Sequence, residues 1–227
     1  MERIVLNPVK IPYDMDKMEL LKGLKTDSKN YEMILEIIEN TGEMIKPRAI
    51  LKWCNVEKVE QGSVTLMGQT FISKLLFDKL YNLEKVLLNI VTAGDELDVL
   101  KGKYSASVVD IIKYAILIET RKEVKNYISD IFGYNNIAEL CPGSLPDWPV
   151  ENNQYLFEMI GEASDIGVAL KKDYFMTPIN TVSGILYADD KDFINCRLCK
   201  KSCIGRRKPF NESEYLRIFK QNEINEG

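Results

Sequence analysis

Apolar residues recur with a helical period in two long segments of the chain. Between Ser28 and Met44 they lie three or four positions apart, behind a Ser or Asp cap and before Pro47, which predicts an amphipathic helix. From Ser105 to about Ile131 they cover much of the helical circumference, which predicts a helix in the core. Similar but shorter patterns predict helices over residues 73–81, 151–160 and 213–220.

Segments of strand length separate these helices. Lys85–Thr92 is almost continuously apolar, as expected for a central strand that is buried on both faces. Ala49–Val59 is extended in character, and a turn at Gly62 leads into Val64–Met67, which predicts a hairpin. Two further strands are predicted over residues 168–178 and 180–187. Residues 134–149 are rich in Gly and Pro and are predicted to form an unusually long loop.

The composition is that of a folded chain. Its 227 residues are 45% hydrophobic and 28% charged, close to the globular averages of about 45–50% and about 25%. We expect one domain over residues 1–190 and a small cysteine-rich appendage over residues 191–227.

Charge and hydropathy bear on partners and location. The formal net charge of -4 gives no global attraction to nucleic acid, so we expect no nucleic-acid partner. Every apolar run is far shorter than the roughly 18–20 residues of a membrane span, so no membrane contact is expected. Residues 1–4 show no basic leader before an apolar core, and the protein is expected to be cytoplasmic.

Histidine is absent from the sequence. This absence excludes Ser-His and Cys-His nucleophile pairs, His-ligated zinc and His general bases. Any chemistry must therefore use carboxylates, cysteines or a cofactor. The five cysteines, an odd number, indicate free thiols or metal ligands rather than disulfides in a cytoplasmic protein.

Motifs in the second half of the chain resemble a known family. Residues 141–149 read Cys-Pro-Gly-Ser-Leu-Pro-Asp-Trp-Pro, followed by a predicted helix, by Gly-Val-Ala-Leu at 167–170 and by Met-Thr-Pro-Ile-Asn-Thr-Val-Ser-Gly at 176–184. This order is similar to the activation domain of cobalamin-dependent methionine synthase, in which a Pro-Gly loop precedes a helix, an IG-x-x-L segment and an M-x-P-x-x-S-V-S-G strand. The strand end Thr92-Ala93-Gly94 and the helix that carries Asp110 fit free-standing bacterial relatives of that domain.

The resemblance implies an α+β fold in which helices flank a twisted, mainly antiparallel sheet. It also implies that the chain binds S-adenosylmethionine in an extended groove at the Pro-Gly loop. The chain would dock on a corrinoid methyltransferase protein and act as a component of that system in methionine biosynthesis. Cobalamin and its axial imidazole would belong to this partner, since the chain has no histidine.

Several residues are candidates for contact with the ligand. Asp110 is a candidate partner for its ammonium group, with a helix cap or a surface charge as the alternative. Trp148 is a candidate for stacking on adenine or a corrin edge, with packing of the loop as the alternative. A Pro-rich loop is pre-ordered and Gly permits close approach of the backbone, although both residues also shape purely structural loops. The resemblance assigns four loop residues to the ligand: Cys141, Pro142, Gly143 and Ser144.

The chain departs from the family at two positions. Glu139 stands where the family usually has Arg, and Ser144 where it has Tyr after Pro-Gly. Arg would pair with the methionine carboxylate of the ligand, whereas Glu would repel it. Either this carboxylate is held elsewhere, or S-adenosylmethionine binding is lost or altered.

A C-x2-C-x3-C cluster lies in the appendage, formed by Cys196, Cys199 and Cys203. This spacing lets three thiolates converge on one metal centre. Cys141 and Cys54 are candidates for the fourth ligand, and an open position or a small molecule is the alternative. The spacing does not separate an iron-sulfur cluster from zinc, because both favour thiolates, and free thiols are a third interpretation.

Basic side chains surround the cysteine cluster. They would stabilise thiolates, offset an anionic cluster and attract an acidic electron donor such as flavodoxin, or they form a solvated basic tail. An iron-sulfur electron-transfer or docking protein without S-adenosylmethionine binding is therefore the alternative to the activation subunit, and a zinc-stabilised interaction module is a third hypothesis. The basic residues are Arg197, Lys200, Lys201, Arg206, Arg207 and Lys208.

Overall fold

The computed structural model describes residues 3–22, 24, 29–189, 193–203 and 206–220. Its strands are β1 (Arg3–Leu6), β2 (Arg48–Glu60), β3 (Ser63–Leu66), β4 (Gln69–Ile72), β5 (Lys85–Thr92), β6 (Ile137–Leu140), β7 (Ala169–Leu170), β8 (Met176–Thr177) and β9 (Thr181–Ala188). Its α-helices are α1 (Lys29–Thr41), α2 (Lys74–Leu80), α3 (Ala106–Phe132), α4 (Asn153–Ile160) and α5 (Glu212–Phe219).

Seven strands of the described residues form one sheet in the order β4-β3-β2-β5-β9-β6, with β1 paired to β2. The strand pairs in this sheet are antiparallel, and helices cover both of its faces. The predicted α+β class with a mainly antiparallel sheet is therefore confirmed. None of the helices in the described residues is long and apolar enough to cross a membrane.

The two faces of the sheet carry two apolar clusters. Along β5, Leu88 and Ile90 pack with α2 and α4 on one face, whereas Leu87 and Val91 pack with α1 and α3 on the other. Strand β5 thus contributes to both clusters, which explains its nearly continuous apolar sequence. The C-terminal segment packs on the first face through Phe193, Leu198 and Ile218.

The elements with a strong pattern form as predicted. Strand β5 has the predicted bounds, α3 lies within one residue of its predicted start and end, and β2 and β3 form the predicted hairpin. Helices α1, α2, α4 and α5 are also present where their patterns predicted them. The predicted Ser or Asp cap of α1 and the predicted domain boundary at 190/191 lie outside the described residues.

Two predicted segments differ in the structure. The predicted loop over 134–149 contains β6, which pairs with β9 along four residues. A four-residue strand that carries Glu139 has no recognisable apolar alternation, so the pattern missed it. Residues 168–178 form no single strand, because the chain turns at Tyr174, whose φ is +62°, and divides into the short hairpin of β7 and β8.

Candidate functional site

A cavity of about 370 Å³ lies between α3, the end of β6 and the segment that begins at Phe193. We call it the Cys141 cavity. The Pro-Gly loop contributes Cys141 and Ser144 to its wall, and Val182 comes from β9. Its lining also includes the three cysteines of the C-terminal cluster, Cys196, Cys199 and Cys203. The fold therefore brings together the two regions that the sequence singled out separately.

The wall of the Cys141 cavity carries an excess of positive charge. Four cationic side chains face two acidic ones, so the lining has an excess of two positive charges. These residues are Arg121, Lys122, Lys125 and Arg207, together with Glu19 and Glu139. A cavity with this balance favours an anionic ligand or an anionic metal centre.

Glu139 is the buried centre of this charge cluster. Arg121 of α3 donates from Nε and Nη2 to its Oε2, at 3.0 and 2.7 Å. Asn89 of β5 donates from Nδ2 to its Oε1 at 3.0 Å, and Lys125 Nζ lies 3.7 Å from Oε2. The carboxylate that departs from the family pattern is thus neutralised within the protein.

Burial and neighbouring charges shift the pKa values of Glu139, Lys125 and Cys141. Burial raises the pKa of Glu139, but the charges of Arg121 and Lys125 and the hydrogen bonds from Arg121 and Asn89 outweigh it and lower the pKa to about 2. Burial lowers the pKa of Lys125, and Glu139 offsets this only in part. Burial, followed by the negative charge of Glu139, raises the pKa of Cys141 to about 12. The Cys141 thiol is therefore protonated at neutral pH unless a metal binds it.

Gly184 permits the close approach on which this site depends. It lies on β9, opposite Asn89 of β5 in the strand register. A Cβ atom here would overlap the carbonyl oxygen of Leu140 and lie 3.3 Å from Cys141 Sγ. The last glycine of the family motif is therefore required by packing against the end of β6.

The other polar residues of this motif hold β9 to its neighbours. Ser183 donates from Oγ to Asn153 Oδ1 at 2.7 Å, and Thr181 donates from Oγ1 to Thr92 Oγ1 at 2.8 Å. Both hydrogen bonds are buried. Asn153 in turn donates to the Tyr174 carbonyl at 3.0 Å. The motif thus forms a rigid support next to the cavity.

The Pro-Gly loop has a tight internal geometry. Gly143 has a φ of +76°, a left-handed conformation that favours glycine, and its N–H donates to the Trp148 carbonyl at 2.8 Å. Ser144 Oγ donates to the Cys141 carbonyl at 2.7 Å. Asn195 Nδ2 donates to the same Ser144 Oγ at 3.2 Å. Ser144, where the family has Tyr, therefore links the loop to the residue that precedes Cys196.

One guanidinium organises the cysteine cluster. Arg206 donates from Nη1 to the Cys196 carbonyl at 3.1 Å and from Nη2 to the Cys199 carbonyl at 2.9 Å. It also donates to the carbonyls of Lys201 and Lys208. Since one side chain bonds four carbonyls, the loop that carries the cysteines curves around Arg206.

The cysteines differ in burial. Cys141 and Cys54 are buried, Cys196 and Cys199 are half-buried, and Cys203 is exposed. Cys54 lies in β2, in the apolar cluster on which the C-terminal segment also packs, and does not line the cavity. Among the described residues, no three Cys, Asp or Glu side chains are placed to hold a single metal ion. Of the two candidates for a fourth ligand, only Cys141 shares the cavity with the cluster.

Asp110 and Trp148 do not line the cavity. Asp110 pairs with Lys101, with Nζ and Oδ1 2.8 Å apart, and its side chain is half-exposed. Trp148 is fully buried and packs edge-on against Phe71, with ring centroids 5.8 Å apart. The ring of Trp148 therefore packs the loop onto the core and has no exposed surface for a ligand. Pro142 continues the loop between Cys141 and Gly143.

Several basic residues near the cysteines have partners inside the C-terminal segment. Lys200 Nζ lies 4.3 Å from the centroid of the Tyr215 ring, and Arg197 Nε lies 3.4 Å from Glu214 Oε2. Arg206 bonds the loop, and Arg207 lines the cavity. At least half of the six residues of the predicted basic patch therefore have structural partners, which leaves less of the patch for an acidic partner.

Arg121, Lys125 and Asn89 have only weak signals in the sequence. Arg121 and Lys125 are four residues apart on one face of α3, and Asn89 interrupts an otherwise apolar strand. A polar residue in a buried strand needs a partner, and this rule indicates that Asn89 has a buried polar neighbour. The identity of that neighbour depends on the pairing of β6 with β9, which the pattern missed.

The comparisons with known proteins support the fold. The chain is similar to a crystal structure of the MetH reactivation domain bound to AdoHcy, with a TM-score of 0.57 and 14% sequence identity. The similarity covers 74% of this chain and 67% of that chain. No family model and no curated protein matches the sequence. The chain therefore shares the fold of this reactivation domain.

Proposed function

We propose that the chain is the activation component of a cobalamin-dependent methyltransferase system and binds S-adenosylmethionine beside the Pro-Gly loop. One observation carries the proposal. The chain has the fold of a reactivation domain that was crystallised with AdoHcy. Its Pro-Gly loop and its strand β9, which carries part of the motif at 176–184, both border one cationic cavity. The family motifs thus meet at a place that suits a ligand with a carboxylate.

The cations around Glu139 offset its negative charge, which would otherwise repel the carboxylate of the ligand. The ion pair with Arg121 neutralises the Glu139 carboxylate, and Lys125 and Arg207 add positive charge to the wall. In this proposal helix α3 supplies the cation that the family usually has on the loop. The methionine carboxylate of the ligand would lie against Lys125 and the remaining donors of Arg121.

The ammonium group of the ligand is attached to the same carbon as this carboxylate, so it would also lie in the Cys141 cavity, where Glu19 is an acidic side chain of the wall. Asp110, Tyr114, Ile118, Arg121 and Lys125 follow one another at intervals of three or four residues and so share one face of α3. Asp110 and Arg121 are about 17 Å apart along the helix axis, at about 1.5 Å per residue. Asp110, the candidate from the sequence, is therefore too far from Arg121 and Lys125 to bind the ammonium group of a ligand whose carboxylate lies against them, and it pairs with Lys101 instead.

The cobalamin and its axial ligand would belong to a separate corrinoid protein. Two exposed apolar side chains, Phe175 and Ile179, lie in and next to the motif at 176–184 and would contact this partner. Docking would place the sulfonium methyl group of the bound ligand near the cobalt for remethylation. The electron that reduces cob(II)alamin would come from an external donor such as flavodoxin.

Titration calorimetry with S-adenosylmethionine and S-adenosylhomocysteine tests the binding step. We expect binding of both ligands to the full chain, and Lys125→Gln should weaken it about tenfold or more, because a charge-assisted hydrogen bond to the ligand carboxylate is lost. Lys172→Gln, at an exposed lysine that does not line the cavity, is the matched control and should bind as the wild type does. Absence of heat and of thermal stabilisation at millimolar ligand contradicts the proposal.

Electron transfer is the second candidate function. It is favoured by the four cysteines in the wall of the Cys141 cavity. If the chain binds iron but no S-adenosylmethionine, this function replaces the first, and the fold would serve for docking on the corrinoid protein.

A further inference from the structure

We propose that Cys141, Cys196, Cys199 and Cys203 together hold an iron-sulfur cluster in the Cys141 cavity. The inference rests on the second candidate function and not on S-adenosylmethionine binding, because the cluster would occupy the cavity in place of the ligand. We base the inference on the position of the four cysteines: Cys141 is far from the other three in sequence, yet it borders the same cavity. The remaining cysteine, Cys54, is buried in β2 and does not line the cavity.

The structure ties the two cysteine-bearing segments together. Ser144 Oγ donates to the Cys141 carbonyl and accepts a hydrogen bond from Asn195 Nδ2. Asn195 immediately precedes Cys196, so this chain of hydrogen bonds joins the backbone of Cys141 to the start of the cluster. Arg206 then holds the carbonyls of Cys196 and Cys199 around one guanidinium. Both segments are thus positioned before any metal arrives.

The electrostatics of the cavity suit an anionic centre. An iron-sulfur cluster with four thiolate ligands carries a net negative charge, and the lining has an excess of two positive charges. Arg121 and Lys125 lie on the Cys141 side, and Arg207 is on the side of the C-terminal cluster. The cations would stabilise thiolates that are costly to form when the cavity is empty, above all that of Cys141.

The size of the cavity favours a cluster over a single zinc ion. Zinc needs four sulfurs at about 2.3 Å from one point, and no three Cys, Asp or Glu side chains of the described residues are placed for one ion. In a cluster each iron takes one thiolate, so the cysteine sulfurs are farther apart. A cavity of about 370 Å³ leaves room for such a cluster between its ligands.

Metal and sulfide analysis of the full chain tests the inference. Protein purified anaerobically, or reconstituted with Fe²⁺ and sulfide, should contain about four iron and four sulfide per chain and show broad visible absorbance. Reduction with dithionite should produce an electron paramagnetic resonance signal. Zinc without sulfide, or no retained metal after reconstitution, overturns the inference.

Two variants test the role of Cys141. Cys141→Ser should lose at least about half of the bound iron or change the resonance signal, because one iron loses its thiolate. The matched control is Cys54→Ala, also at a buried cysteine, which should keep the full cluster. Circular dichroism establishes that both variants fold. A folded Cys141→Ser protein with the wild-type iron content and signal overturns the assignment of Cys141, and calorimetry on the same preparations reports ligand binding separately.

Discussion

Arg121 directs two hydrogen bonds to a single oxygen of Glu139, from Nε at 3.0 Å and from Nη2 at 2.7 Å. Only 2% of the Glu139 side chain is exposed, against 22% for Arg121. The pair joins the long helix α3 to the edge strand β6, two residues before Cys141. It therefore determines both the position of the Pro-Gly loop and the charge of the cavity.

We expect Glu139→Gln to destabilise the fold by about 3 kcal/mol. The substitution keeps the size of the side chain but leaves Arg121 and Lys125 without their shared carboxylate, and breaking a buried ion pair costs about 3–5 kcal/mol. The lower end applies because Arg121 is partly exposed. Urea unfolding followed by circular dichroism measures the change. Glu158→Gln, at an exposed position on α4, should leave stability within about 0.5 kcal/mol of wild type.

The same carboxyl predicts a loss of stability in acid. Since the pKa of Glu139 is lowered from 4.5 to about 2 in the folded state, its contribution is complete above about pH 4.5. It decreases as the pH falls through this range and is lost below about pH 2. Urea midpoints measured at several pH values between 2 and 6 should show a steeper decrease for the wild type than for Glu139→Gln. Parallel curves for the two proteins would contradict this account.

Gly184→Ala should disturb the wall of the Cys141 cavity at Cys141. The new Cβ would overlap the Leu140 carbonyl and press on Cys141 Sγ, and overpacking of this kind costs about 1–3 kcal/mol. We expect a lower urea midpoint and weaker binding of ligand or metal in the Cys141 cavity. Gly42→Ala is the matched control, because its Cβ would meet only the Tyr13 ring at an ordinary 3.5 Å. Equal stability of the two variants would contradict this account, because it would mean that β9 and β6 accommodate the new Cβ with no loss of folding free energy.

The sequence predicted the fold well where apolar residues recur at buried positions over a long segment. Strand β5 and helix α3 have long apolar patterns, and both form within one residue of the predicted bounds. Strand β6 has four residues, and the burial of its Glu139 depends on hydrogen bonds from Arg121 of helix α3 and Asn89 of strand β5. Such a pairing depends on tertiary contacts, so local patterns did not reveal it.

The site was predicted in parts. The Pro-Gly loop and the cysteine cluster were each recognisable from residue types and spacing, but their shared cavity depends on how residues 193–203 pack beside α3. From the sequence alone, Ser144 is only a position where the chain differs from the family pattern. In the structure it is the hydrogen-bonded link between Cys141 and Asn195.

Alkylation should divide the five cysteines of the metal-free protein into two groups. Burial and the charge of Glu139 raise the pKa of Cys141 to about 12, and burial and the charge of Glu57 raise that of Cys54 to about 11. Because the thiolate is the reactive form, both should resist iodoacetamide at pH 7, whereas Cys203, which is exposed, should react first, followed by Cys196 and Cys199. Mass spectrometry of the native protein should therefore show three modified cysteines, and the urea-unfolded control should show all five.

Anaerobic reconstitution with Fe²⁺ and sulfide should then protect the three reactive cysteines, since their thiolates become ligands. Unchanged labelling of all three in iron-loaded protein would contradict the cluster.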